Sequence, residues 1–84
     1  MIKLAKGVEM LEVDGTTVLL KNNGDAAVLN AQAVNILSAL IDGKTKPLVV
    51  EQVLKSYEVS RAQATEDIDA FVNKLLKNEL AISG

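Results

Sequence analysis

Glu66, Asp67 and Asp69 place three carboxylates within four residues. A cluster of that kind can hold a cation or share a proton. Their spacing, however, puts most of them on the polar side of an amphipathic helix, near the N-terminal end, where the macrodipole favours acids. A solvated helix face accounts for them better than a metal or acid–base site. Ser38, Ser56 and Ser60 are possible nucleophiles, but the chain has no His to activate them and no Cys to serve as thiolate or metal ligand. Gly7, Gly15, Gly24, Gly43 and Gly84 are scattered one per turn or terminus, so no loop cradles a phosphate. Asp14 and Asp25 are explained by the turns that contain them. The expectation is a protein that is not an enzyme, with no catalytic residue, no metal and no cofactor.

The elements that position these residues belong to a chain of 84 residues, enough for one domain spanning 1–84 with a modest core and no room for a substrate cleft. Apolar residues make up 49% and are mostly aliphatic. Trp is absent, and Tyr57 and Phe71 are the sole aromatics, which makes Phe71 the largest single block available to the core. Charged residues, at 24%, are well mixed, which argues against disorder. A net charge of −2 supplies no field to draw the chain onto phosphates or anionic lipid. The apolar runs fall far short of a membrane span, and the opening Met1–Lys6 has no long apolar signal region. A cytoplasmic location, with neither membrane nor nucleic acid as partner, is expected.

Strand formers and turn residues predict strands over about 8–13, 16–21 and 25–29. The first two are joined at Asp14-Gly15, and the next two at Asn22-Asn23-Gly24-Asp25. Helices are predicted over about 31–41, 47–57 and 61–79. Asn30 caps the first, and Asp42-Gly43 ends it. Thr45 is placed to cap the second, with Pro47 in its first turn and Leu48, Val49, Val53 and Leu54 facing inward. Ser60 and Gln63 form a capping box for the third. Its apolar stripe is Ala64, Ile68, Phe71 and Leu75, flanked by Val72 and Leu76, a width suited to packing on two sides.

This order gives an α+β fold, winged-helix-like, with a three-stranded antiparallel sheet followed by three helices. A winged helix invites a DNA-binding regulator as one reading. The would-be recognition helix, Arg61–Leu80, opposes that reading. It carries Arg61, Lys74 and Lys77 against Glu66, Asp67, Asp69 and Glu79, where groove reading needs donors and phosphate-neutralising flanks. The third strand points elsewhere. Ala26-Ala27-Val28-Leu29 has small side chains and no Pro or Lys, so it lacks the devices that block an open sheet edge. At an edge, its main chain is free to pair with an extended peptide. An interaction domain cut from a larger enzyme is a third reading.

Certain residues, taken in order, resemble the PqqD-like family, whose members are also called RiPP recognition elements. They are Leu29-Asn30, Ile41-Asp42-Gly43, Ser56-Tyr57-Glu58-Val59, Glu66-Asp67-Ile68 and Leu75-Leu76-Lys77-Asn78-Glu79-Leu80. The resemblance runs from about Gly7 to Ile82. It implies three strands packed on three helices and a binding function: holding the leader segment of a ribosomally made precursor peptide for a modifying enzyme. That enzyme would be a radical-SAM protein, a cyclodehydratase, or a leader peptidase with its cyclase. In the family the leader adds as a strand along the third strand, against the third helix. On this chain that implies Asp25, Ala26, Ala27, Val28 and Leu29, through to Asn30, as one wall. Asp67, Ala70, Phe71 and Lys74 form the other. Two departures are visible. Ala26-Ala27 stand where many members carry aromatics, which implies a shallower or wider pocket. The second helix opens Lys46-Pro47-Leu48-Val49-Val50, with fewer acids than the family pattern.

Overall fold

The computed structural model describes residues 2–83. They run β1 (Ile2–Leu4), β2 (Glu9–Val13), β3 (Thr16–Leu20), β4 (Ala26–Leu29), α1 (Ala31–Ile41), α2 (Lys46–Ser56), α3 (Arg61–Lys77) and β5 (Ala81–Ser83). The main sheet is antiparallel in the order β2-β3-β4. With three helices following it, the fold is α+β as expected from the sequence. Asp14 and Gly15 both take left-handed φ, 52° and 79°, which matches a two-residue turn to the twist of β2 and β3. In the next turn Asn23 Oδ1 accepts the Asp25 N–H at 2.9 Å, a side chain standing in for a main-chain bond.

One pairing departs from the sequence reading, which left both ends of the chain outside the sheet. β1 and β5 form their own antiparallel ribbon, with Leu4 opposite Ala81 and Lys3 opposite Ile82. Three-residue strands are too short for alternation to register, and their partners lie at opposite ends of the sequence.

The helix ends follow local chemistry with three corrections. Asn30 Oδ1 accepts the Ala33 N–H at 2.8 Å and starts α1. Thr45 makes no side-chain cap to α2, which opens one residue early at Lys46. Ser60 Oγ accepts the Gln63 N–H at 3.0 Å. The reciprocal half of the capping box is not made; the Gln63 side chain turns toward Asp67, with Nε2 donating to Asp67 Oδ1 at 2.7 Å. α3 stops at Lys77, short of residue 79, because Glu79 turns left-handed at φ 58°. The Leu80 N–H then reaches the Leu75 carbonyl at 2.9 Å and the Glu79 N–H reaches that of Leu76 at 3.1 Å, a Schellman closure. α1 closes the same way at Gly43, whose neighbour Lys44 donates to the Ala39 carbonyl at 3.1 Å.

Two packed clusters make the core. Ile36, Ala39, Leu40, Val49, Val50, Val53, Ala64 and Ile68 join the three helices. Leu19, Leu29, Leu37, Leu75, Leu80 and Ala81 join α1 and α3 to the strands. Phe71, half-buried, packs against both clusters. It is therefore a bridge between them and not the buried centre of one. Leu48, expected to face inward, is 55% exposed, whereas Val49 is buried. Two ion pairs tie α2 to α3: Lys46 with Asp69, and Arg61 with Glu51 at 2.5 Å.

Candidate peptide-binding site

The main sheet has two edges, β2 and β4, and side chains distinguish them. β2 carries Glu9 and Glu12. Glu12 shares its sheet face with Met10, which lies opposite the buried Leu19, and an acid on the core-side face deters a second strand. β4 carries no charge and no Pro along Ala26–Leu29.

The register of β4 identifies which of its main-chain groups are free. The Lys21 N–H donates to the Asp25 carbonyl at 2.8 Å. In an antiparallel ladder, bonded pairs alternate with non-bonded pairs. Counting along the pairs Leu20–Ala26, Leu19–Ala27, Val18–Val28 and Thr17–Leu29, Ala27 and Leu29 turn their N–H and C=O groups toward β3. Ala26 and Val28 turn theirs to the open side. The two-residue turn at Asp14-Gly15 requires the same alternation, since it makes Val13 and Thr16 a bonded pair. The chain thus presents two donors and two acceptors to anything extended that lies beside β4.

Side chains along β4 divide in the same rhythm. Leu29 is buried in the core and Ala27 packs against that cluster, whereas Ala26 and Val28 face solvent. A cleft of about 240 Å³ opens between the start of β4 and the end of α3, lined by Lys21, Asp25, Ala26, Ala27, Lys74, Asn78 and Leu80. Of the residues expected at the site, the structure therefore brings Asp25, Ala26, Ala27 and Lys74 together. Ala70 and Asp67 lie about one and two turns back along α3 from Lys74, both exposed. Asp67 is engaged with Gln63 Nε2. Leu29 supports the edge from beneath.

Three cleft residues were not foreseen. Lys21 directly follows β3, Asn78 caps α3 and Leu80 follows the Schellman turn. No local pattern marks them, because only the fold brings the turn after β3 beside the end of α3. Lys21 Nζ donates to the Asn78 carbonyl at 3.1 Å across that junction.

Other surfaces offer less. A cleft of about 320 Å³ between α1 and α2 is lined by Gln32, Asn35, Gln52, Lys55 and Tyr57, among others. It presents helix side chains and no open strand edge. Among the described residues, no group of His, Cys, Asp or Glu is placed to hold a metal ion. Among the same described residues, no helix is long and apolar enough to cross a membrane. On α3, the helix a DNA-binding regulator would use, Arg61 is engaged with Glu51, and Glu66, Asp67 and Asp69 stand exposed. Nothing in this arrangement favours that regulator.

The fold recurs in known proteins. A solved structure described as lasso peptide synthetase B1 complexed with the leader peptide superimposes with a TM-score of 0.91. It is 31% identical, over 98% of each chain. Another, TbiB1 in complex with the TbiA(beta) leader peptide, superimposes with a TM-score of 0.83 at 28% identity. The match covers 98% of this chain and 96% of that one. No curated protein sequence matches. The family model of coenzyme PQQ synthesis protein D (PqqD) matches residues 11–81, and with that span and these superpositions the chain belongs to the PqqD family as a PqqD-like RiPP recognition element.

Proposed function

We propose that this protein binds the leader segment of a ribosomally synthesised precursor peptide by strand addition to β4, and presents it to the enzyme that modifies or cleaves it. The observation that carries this reading is the open edge at Ala26 and Val28 beside α3, in a chain whose superimposable relatives are described as leader-peptide complexes. Main-chain bonds at the edge supply affinity that depends little on sequence. The cleft lined by Ala26, Ala27, Lys74 and Leu80 supplies side-chain selection. Asp25 to Leu29 form one wall, and Asp67, Ala70, Phe71 and Lys74 the other.

The protein acts by binding and not by catalysis. Ordering the leader raises the effective concentration of the attached core peptide at a partner's active site. The partner is a radical-SAM protein, a cyclodehydratase, or a leader peptidase with its cyclase, and the encounter takes place in the cytoplasm.

The test is a fluorescence anisotropy titration with a labelled leader from a precursor encoded beside this gene, at low and high salt. The expected result is sub-micromolar to micromolar affinity that barely changes with salt, because backbone pairing and apolar contact carry it. Absence of binding by every neighbouring precursor sinks the reading.

A further inference from the structure

We propose that the added strand is read on its solvent side as well as its groove side, and that Val28 sets the preference there for an aliphatic residue. This rests on strand addition at β4. Three apolar side chains stand in register across the outer face of the sheet: Leu11 opposite Val18, and Val18 opposite Val28. Leu11 is 38% exposed and Val28, at the end of the row, is 71% exposed. A row of this kind gains from each cross-strand neighbour. Val28 has a neighbour on one side only.

The alternation of bonded and free groups along β4 decides what fills the other side. Val28 is one of the two residues whose main-chain groups face the open edge, so a guest strand is held there directly. Paired residues on adjacent strands project to the same face whether the strands run parallel or antiparallel. The guest residue aligned with Val28 therefore joins the Leu11–Val18–Val28 row. Its immediate neighbours project to the other face, toward Ala27 and the cleft. The row contains no polar atom to pair with a charged guest side chain, so a charge there loses contact and gains nothing. The ligand class is thus an extended peptide with an aliphatic, preferably β-branched, residue at one solvent-facing position, set between groove-facing residues that obey a separate rule.

A library of random dodecapeptides displayed on phage, selected in parallel on the wild-type protein, Val28→Glu and Val13→Glu, tests this. Val13 lies on the same outer face but on β2, away from β4, and is 54% exposed. Both substitutions are at exposed sites, so the fold is kept, which circular dichroism verifies. The expected result is an enriched pattern with Val or Ile at one position on wild type and on Val13→Glu. On Val28→Glu that same position turns to Lys or Arg, with the residues on either side unchanged. Synthetic peptides carrying the swap should show a reversal of preference of about two- to fivefold. An unchanged pattern on Val28→Glu overturns solvent-side readout while leaving strand addition intact. Failure of all three proteins to enrich any pattern overturns strand addition itself, and this inference with it.

Discussion

Lys21 Nζ donates a hydrogen bond to the Asn78 carbonyl at 3.1 Å, joining residues 57 positions apart. Asn78 is the C-cap of α3, where carbonyls lack helical partners and the helix carries its partial negative charge. Lys21 precedes the turn into β4, and both residues line the cleft. The bond sets how far the end of α3 stands from the start of β4. Lys21→Met keeps the aliphatic stem and removes the donor. It should cost about 0.5–1.5 kcal/mol of stability, read by urea denaturation, and should weaken leader binding by loosening one end of the cleft. Unchanged affinity in a folded variant excludes Lys21 from the site.

Proline distinguishes the two faces of the edge strand. Val28→Pro removes an N–H that points to the open side, so the β3–β4 ladder survives while a guest strand loses a donor. Ala27→Pro removes an N–H that bonds to β3. Val28→Pro is expected to weaken leader binding more than Lys77→Ala does, with the circular dichroism spectrum retained. Ala27→Pro is expected to lower the melting temperature markedly. Equal loss of affinity from Val28→Pro and Lys77→Ala counts against strand addition.

Phe71 bridges both core clusters and remains half-buried. A fully buried Phe reduced to Ala costs about 3–5 kcal/mol, so Phe71→Ala should fall near the lower end of that range. Phe71→Leu retains much of the apolar contact and should cost about 1–1.5 kcal/mol. If the ring also lines the groove, Phe71→Leu loses leader affinity out of proportion to its loss of stability. Matched anisotropy and thermal-melt measurements on that variant separate the two roles.

Glu79 and Gly43 occupy the same left-handed position in two Schellman closures, with φ of 58° and 89°. A residue with a Cβ is strained there and Gly is not. Glu79→Gly should stabilise the protein by about 0.5–1 kcal/mol, and Gly43→Ala should destabilise it by about 1 kcal/mol or more. A melting temperature that falls on Glu79→Gly would mean the Glu79 side chain makes a contact worth more than the strain.

Local chemistry made much of this protein legible from its sequence. Asp14-Gly15, Asn30, Asp42-Gly43 and Ser60 each act within a few residues of themselves, and each turns or caps the chain where its type demands. The three- and four-residue spacing on α3 likewise marks which side of that helix is apolar. The lack of blocking residues in Ala26–Leu29 is legible in the sequence alone. So is the excess of acids over bases on the third helix.

Only the tertiary structure decided what depends on distant neighbours. The pairing of β1 with β5, the exposure of Leu48, and the recruitment of Lys21, Asn78 and Leu80 to the cleft depend on contacts between remote segments. So does the position of Phe71 between two clusters. The edge itself belongs to this second group. Sequence showed that β4 could be one, but the sheet order and the Lys21–Asp25 bond determined that Ala26 and Val28 hold the free groups. The physical reason is the period of two in a strand: shifting the register by one residue exchanges every bonded group for a free one. That register is set by how the sheet packs on Leu19 and Leu29 together with Leu37 and Leu75 of α1 and α3, which no single segment contains.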